Sequence, residues 1–457
     1  MPALAPHPDR LLPADPAVRS IARRLYEAVA TLPIVSPHGH VDPRMLRDDT
    51  PFADPASLFI KPDHYVTRLL HSAGVPLSSL LGDADPRSVW RLFCEHWHLF
   101  RGTPVRYWFE SELASIFDVS EQPSTANADI LYDQIEALLR SPSHRPRELL
   151  SRFGIDFLAT TDDPSSDLAD HAALSSLPTR VAPTFRPDRY LELGAPSWPS
   201  VVKELGGDVG SYSGYLAALE ERRRYFVAHG AVSADHGHFD AGTTPLSPSE
   251  ADRIYRAALS SDISDKEAVA FRRHMMFEMA RMSCDDGLVM TLHPGVYRNH
   301  HSESLSRFGP DTGHDIPVAV EYTRALRPLL DRFGTHPGFH LVLFTVDPDV
   351  YSREIAPLAG FYPAVYAGAP WWFLDNPTEI RRYQRAVTET AGFGKLSGFI
   401  DDTRAFCSIP ARHDMSRRLD AGHLAELVAA HRLAPDEAEE LVVDLVSHQP
   451  RRVFKIN

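Results

Sequence analysis

Leu32-Pro33-Ile34-Val35-Ser36-Pro37-His38-Gly39-His40 sets a short apolar run directly before two histidines one residue apart. Side chains at i and i+2 of an extended strand share a face, so one strand end can offer both imidazoles to a single cation. The same spacing recurs at His96/His98 and His236/His238 in a chain with 23 histidines. His96-Trp97-His98 falls in a helical pattern, where i and i+2 diverge, and reads as packing. The pair at 38 and 40 therefore gains its weight from the rest of the chain.

The rest of the chain alternates. Short β-branched or apolar runs occur at 34–40, 156–162, 180–186, 231–237, 287–295, 340–346, 362–368 and 395–402, with amphipathic stretches such as 212–229, 265–284, 318–333 and 377–391 between them. Strands alternating with helices argue for a parallel α/β sheet, and eight such units argue for a (β/α)8 TIM-type barrel. The rhythm breaks between the first two runs, where helical patterns such as 88–100 and 128–139 appear without a strand. This predicts a helical insertion between strands 1 and 2, lying over the barrel mouth. The expected organisation is residues 1–50 for the N-terminal segment and first strand, 51–150 for the insertion, and 151–457 for the remaining barrel and C-terminal helices. Residues 412–448 read as two helices, with breaks at Asp420-Ala421-Gly422 and Pro435-Asp436.

Barrel chemistry sits at the carboxyl ends of the strands. The successive runs end in His38 and His40; Thr160-Thr161-Asp162-Asp163; Thr184-Phe185-Arg186; Asp235-His236; His293, followed by Arg298; Thr345-Val346-Asp347; Tyr366-Ala367-Gly368; and Asp401-Asp402-Thr403-Arg404. Together they place histidines, carboxylates and arginines on one face. The segment 294–317, with Arg298 and a Gly309-Pro310-Asp311-Thr312-Gly313 turn, is long enough to read as a binding loop or lid.

Composition bounds the partners. With 43% apolar and 24% charged residues the chain is of ordinary globular type. A net charge of −14 disfavours nucleic acid and anionic membranes, and no run is apolar enough for a membrane span. The proline-rich residues 1–10 lack an apolar signal core, and three scattered cysteines suit a reducing cytoplasm. Gly206-Gly207-Asp208-Val209-Gly210 lacks the lysine of a phosphate loop. A homo-oligomer that takes a small anionic substrate through pocket arginines is the expected form.

His38-Gly39-His40-Val41-Asp42-Pro43, Asp63-His64-Tyr65, Thr160-Thr161-Asp162-Asp163-Pro164, Pro183-Thr184-Phe185-Arg186-Pro187-Asp188, Asp235-His236-Gly237, His293 with Arg298-Asn299, Trp371-Trp372-Phe373 and Asp402-Thr403-Arg404 follow one another in order. No single tripeptide decides, but the ordered set resembles the uronate (glucuronate) isomerase family of the amidohydrolase superfamily, over residues 32–457. This chain has Asp402-Thr403-Arg404 where members often show Asp-Ser-Arg, and Phe373-Leu374-Asp375-Asn376 where they show Phe-Asn-Asp-Gln.

The resemblance implies an aldose–ketose isomerase acting on a hexuronate. It would hold one divalent ion, zinc or manganese, on His38, His40 and Asp402, with His293 beside them. Asp402 is the first choice of base and Tyr65 the second, with His64 orienting protons or hydroxyls. Arg186, Arg298 and Arg404 are candidates for the substrate carboxylate, bidentate partners of a kind lysine cannot match. Arg404, two residues beyond Asp402 on an extended strand, could instead hold Asp402. Trp372 joins the substrate-binding set. The alternative is a one-metal hydrolase of a sugar-acid lactone. A two-metal hydrolase would need a lysine at the fourth strand, and none of the five lysines follows a strand end closely.

Overall fold

The computed structural model describes residues 3–457, so the first two residues of the proline-rich N-terminus lie outside it. Among the described residues the strands are β1 (Ile34–Ser36), β2 (Ile155–Ala159), β3 (Arg180–Ala182), β4 (Ser233–His236), β5 (Val289–Leu292), β6 (Val296–Tyr297), β7 (Ile316–Pro317), β8 (Leu341–Leu343) and β9 (Val365–Ala367). Two parallel sheets, β1-β2-β3 and β4-β5-β8-β9, form an α/β architecture. Phe185, just beyond β3, bridges in parallel to both Asp162 and Ala234 and so ties the two sheets together.

The strands of the two parallel sheets are largely apolar because most of their side chains are covered on both faces. Val35, Phe157, Val289 and Val342 point into one cluster with Phe344 and Ile400, which the C-terminal Val453, Phe454 and Ile456 also join. Their neighbours Met290, Leu292, Leu341 and Leu343 pack the other way, into a larger core that includes Met275 and Leu329 of the surrounding helices. No helix among the described residues is long and apolar enough to cross a membrane.

Between β1 and β2 only helices form, around a third core containing Trp90, Phe93, Phe100, Trp108 and Phe109. Their starts are written in the sequence. Asp42-Pro43, Asp54-Pro55, Asp85-Pro86 and Thr103-Pro104 each place a capping oxygen before a proline at the first helical position. Asp63 caps helix His64–Ser72 by accepting from Tyr65 N–H, which fixes His64 and Tyr65 in its first turn.

Several expectations need correction. The run 395–402 forms no strand: Leu396 makes one bridge to Ala367, after which Gly398, at φ +78° and packed on Pro450, turns the chain out of the ladder. The helix expected over 318–333 is confined to Arg327–Phe333, because the Glu354 carboxylate takes the Tyr322 and Thr323 N–H groups at 2.7 and 2.9 Å. Helix Ile409–Ala429 runs straight through Asp420-Ala421-Gly422; Gly422 fits there as a close neighbour of Pro13 rather than as a break. The segment 294–317 is no bare loop, since β6 and β7 pair antiparallel and helix Ser302–Phe308 lies between them.

Close packing reaches the site through Gly368, where a Cβ would lie 2.4 Å from the Phe344 ring. That ring stacks on His293 at 4.1 Å. Gly368→Ala should lower stability by about 1–3 kcal/mol through overpacking, read as a lower urea midpoint. An unchanged midpoint would mean that the Phe344 ring yields without cost.

Candidate active site

His40 N–H donates to Thr403 O at 3.0 Å, which joins the end of the first run to the end of the last. Asp402 thereby faces the histidine pair, with Oδ1 3.3 Å from His38 Nε2 and 2.8 Å from His40 Nε2. Although so close to two ring nitrogens, this buried oxygen accepts no aligned hydrogen bond. His293 Nε2 is likewise buried and unpartnered. Donor atoms of His38, His40 and Asp402, and of His38, Asp235 and His293, lie within 4.8 Å of one another in each set. Converging nitrogen and carboxylate donors with unsatisfied lone pairs fit a divalent cation.

Burial favours neutral His40, whereas at His38 it is outweighed by the Asp235 and Asp402 carboxylates, which raise the ring's pKa. Asp402 itself lies well below the usual carboxylate range, the two histidines outweighing its burial. Behind them Asp235 Oδ1 accepts from His293 Nδ1 and from Thr291 Oγ1, both at 2.6 Å, while Oδ2 meets Arg186 Nη1 at 3.0 Å. One fully buried carboxylate thus fixes a histidine and an arginine of the site.

A cavity of about 420 Å³ opens in front of this group. His38, His40, His64, Tyr65, Arg186, His293, Arg298, Trp372, Asp402 and Arg404 all line it, whereas the run-end residues Asp162, Asp163, Asp235, His236 and Asp347 do not. Arg298 lies 4.6 Å over the Trp372 ring and pairs with Asp315 at 3.1 Å. Burial, reinforced by Arg404, pushes His64 down to about 3, so its ring is neutral. Burial raises the Tyr65 phenol above its usual range, with Arg412 opposing. Asp402, Trp372, Asn299 and Asp311 all line this cavity at positive φ, a costly setting for residues with a side chain.

Arg404 does not hold Asp402. Its partner is Asp311, at 3.2 Å, because Asp402 at φ +42° breaks the extended geometry that would have put both side chains on one face. Sequence reasoning also missed Arg412 and Asp188. Arg412, 1% exposed, enters from helix Ile409–Ala429, lies 3.6 Å over the Trp108 ring and pairs with Asp375. Nothing in a single sequence marks one arginine of a C-terminal helix as buried. Asp188, which pairs with Arg186 at 3.0 Å, stood in a quoted motif without a role.

The sequence profile of the glucuronate isomerase family matches residues 17–454. The chain belongs to that family. The uronate isomerase of Corynebacterium efficiens is 52% identical to it over 464 aligned positions, covering 99% of each chain. The crystal structure of glucuronate isomerase from Caulobacter crescentus superposes with a TM-score of 0.98 at 45% identity, covering 100% of this chain and 98% of that one. Uronate isomerase from Thermotoga maritima gives 0.93 at 27% identity, with 98% and 99% covered.

Because Asp235 balances both Arg186 and His293 without access to water, Asp235→Ala should cost about 3–5 kcal/mol, the scale for stranding a buried charge. Equilibrium urea unfolding measures it. A loss below about 1 kcal/mol, the scale of an exposed pair, would show that Asp188 alone neutralises Arg186.

Proposed function

We propose that this chain is a uronate isomerase that moves a proton between C2 and C1 of an open-chain hexuronate through an enediol. The pairs it would interconvert are D-glucuronate with D-fructuronate and D-galacturonate with D-tagaturonate. One observation carries the reading: a carboxylate held against two histidines shares a small cavity with a phenol, a neutral imidazole and four arginines. That set matches a reaction needing a positioned base, hydrogen-bond donors and an anion site.

Asp402 serves as the base. Its Oδ1 faces the two histidines, which leaves Oδ2 to take the C2 proton. Tyr65 remains a phenol and donates to a sugar oxygen, since burial opposes its ionisation. His64, neutral and with Nδ1 unpartnered, orients a hydroxyl. His38, His40 and Asp402 would hold one divalent ion, zinc or manganese, as their nitrogen and oxygen donors suit. Such an ion supplies Lewis acidity toward the carbonyl and hydroxyl oxygens of the sugar.

We further read the parallel units as a closed (β/α)8 barrel with residues 51–150 over its mouth. Supporting this, Val35, Phe157, Ala182, Val232, Val289, Val342 and Ile400 share one interior cluster against which Tyr366 packs, so all eight runs contribute. The His40–Thr403 hydrogen bond links the last run to the first. Three cysteines without disulfides favour a cytoplasmic setting.

Elemental analysis should find one divalent ion per chain in the wild type and little in His38→Ala. Equal content in both would rule out this site. Turnover of glucuronate in deuterated water should place deuterium on the product carbon skeleton; its absence would count against proton transfer through an exchanging base. Asp402→Asn, once shown to retain its ion, should lose about a hundredfold or more in kcat, the scale of a lost positioned base. Normal turnover by that variant would move the base role to Tyr65.

A further inference from the structure

The histidine spacing of 38 and 40 recurs in His236-Gly237-His238 at the end of β4. Among the described residues only two sets of donors converge as a cation would need, and neither contains this second pair. Its two rings part instead. His236 Nδ1 meets Thr291 O at 3.1 Å, and burial pushes that ring down to about 4, so it is neutral. His238 stands between two carboxylates, with Nδ1 2.8 Å from Glu192 Oε1 and Nε2 3.5 Å from Asp188 Oδ1. Its side chain is 3% exposed, and Nε2 is buried without an aligned hydrogen bond. Asp188 lines the cavity, and its Oδ2 accepts from Arg186 Nε at 3.0 Å. Gly237 N–H spans both Asp188 oxygens, and no Cβ could stand at Gly237, since it would lie 2.2 Å from Arg186 Nη2. Behind His238, Glu192 approaches Arg272 at 3.5 Å, and Arg272 and Arg273 share Asp240. A row of alternating charges thus runs from Arg186 in the cavity to Arg273 at the surface.

A guanidinium held only through Nη1, by Asp235 at 3.0 Å, can still swing about that contact. A second carboxylate on Nε fixes its plane, provided that carboxylate is itself held. Asp188 stays below the usual carboxylate range because Arg186 and His238 outweigh its burial, so it is charged. Gly237 N–H holds it on one side, and the His238 ring closes it off on another. We propose that His238 is a positioning residue: its Nε2 edge secures the Asp188 carboxylate, which in turn fixes the plane of the Arg186 guanidinium toward the sugar acid. This rests on the uronate reading above, in which Arg186 faces the substrate. His238 itself lines no part of the cavity, so it acts only through Asp188.

The test compares two amides, because glutamine sets its nitrogen near the place of Nε2 and asparagine near that of Nδ1. His238→Gln keeps a donor toward Asp188, whereas His238→Asn keeps one toward Glu192 alone. Both are titrated calorimetrically with gluconate, a non-reacting sugar acid, alongside uronate kinetics and urea unfolding of the enzyme as purified. His238→Asn should weaken gluconate binding and raise uronate KM by about tenfold, the scale of a misaligned binding group. Its kcat should stay within about twofold, as for a contact made equally in ground and transition states. His238→Gln should bring both values back to within about twofold of wild type, a rescue that loss of packing alone would not give. In an Asp188→Asn background His238→Asn should add no further loss. Wild-type affinity in folded His238→Asn, equal losses in the two amide variants, or a tenfold loss that persists in the Asp188→Asn background would each overturn the proposal. If His238→Asn does not fold, Glu192→Ala decides: it removes the outer support of His238 from a half-exposed position and should weaken gluconate about threefold, whereas unchanged affinity would overturn the proposal. Lack of uronate turnover by the wild type would instead count against the functional reading, and the gluconate titrations would still decide the role of His238.

Discussion

The hydrogen bond from His40 N–H to Thr403 O joins two segments that lie near opposite ends of the chain. Everything in the site depends on that meeting, because Asp402 faces the histidine pair only while the first and last runs stay in register. One such bond contributes about 0.5–1.5 kcal/mol net, far too little to hold two segments against chain entropy. The register is held by packing instead: Val35 and Ile400 share the inner cluster, and helix Ile409–Ala429 carries the chain back against helix Pro16–Val29. The metal-type donors are thus set by the core rather than by their own attraction, which is what a preorganised site requires.

The same economy governs charge. Gathering four arginines around one cavity, Arg412 fully buried among them, would be costly without counter-ions, and aspartates supply them. Where the aspartate is fully buried, as at Asp235, the arginine becomes part of the scaffold. Where it is more open, as at Asp311, the pair with Arg404 stands at the exposed side of the cavity. The positive φ angles at Asp402, Trp372, Asn299 and Asp311 point the same way, as local cost tolerated because the surrounding packing over-determines the backbone.

What could be read from the sequence was what local periodicity encodes. The strands were legible because apolar runs alternate with amphipathic stretches; β1 stops at Ser36, short of the expected 34–40, so His38 and His40 meet Asp402 from the turn beyond it rather than from one strand face. The run 395–402 misled for a long-range reason: only the approach of Pro450 to Gly398 ends the ladder after Leu396, and no neighbour in sequence announces it. Arg404 misled because the argument assumed extended backbone at Asp402. Arg412 was invisible, since its burial follows from where an entire helix docks.

Arg412 also shows how the helical segment is made part of the site. Its helix contributes Ile409, Ala411, Met415 and Leu419 to the core that Trp90, Trp108 and Phe109 build between β1 and β2. Its guanidinium lies over Trp108 and, at 5.3 Å, over Tyr65, while pairing with Asp375 three residues beyond Trp372. Tyr65 is therefore set from two directions, by the Asp63 cap at the start of its helix and by a cation stacked on its ring. Tyr65 packs against both that helical core and the inner cluster of the strands, while His38 and His40 lie just beyond β1 and Asp402 at the end of the last run. The setting of Tyr65 across the cavity from Asp402 then depends on how the two cores dock, and Arg412, which pairs with Asp375 and lies over Tyr65, ties the helical core to that cavity.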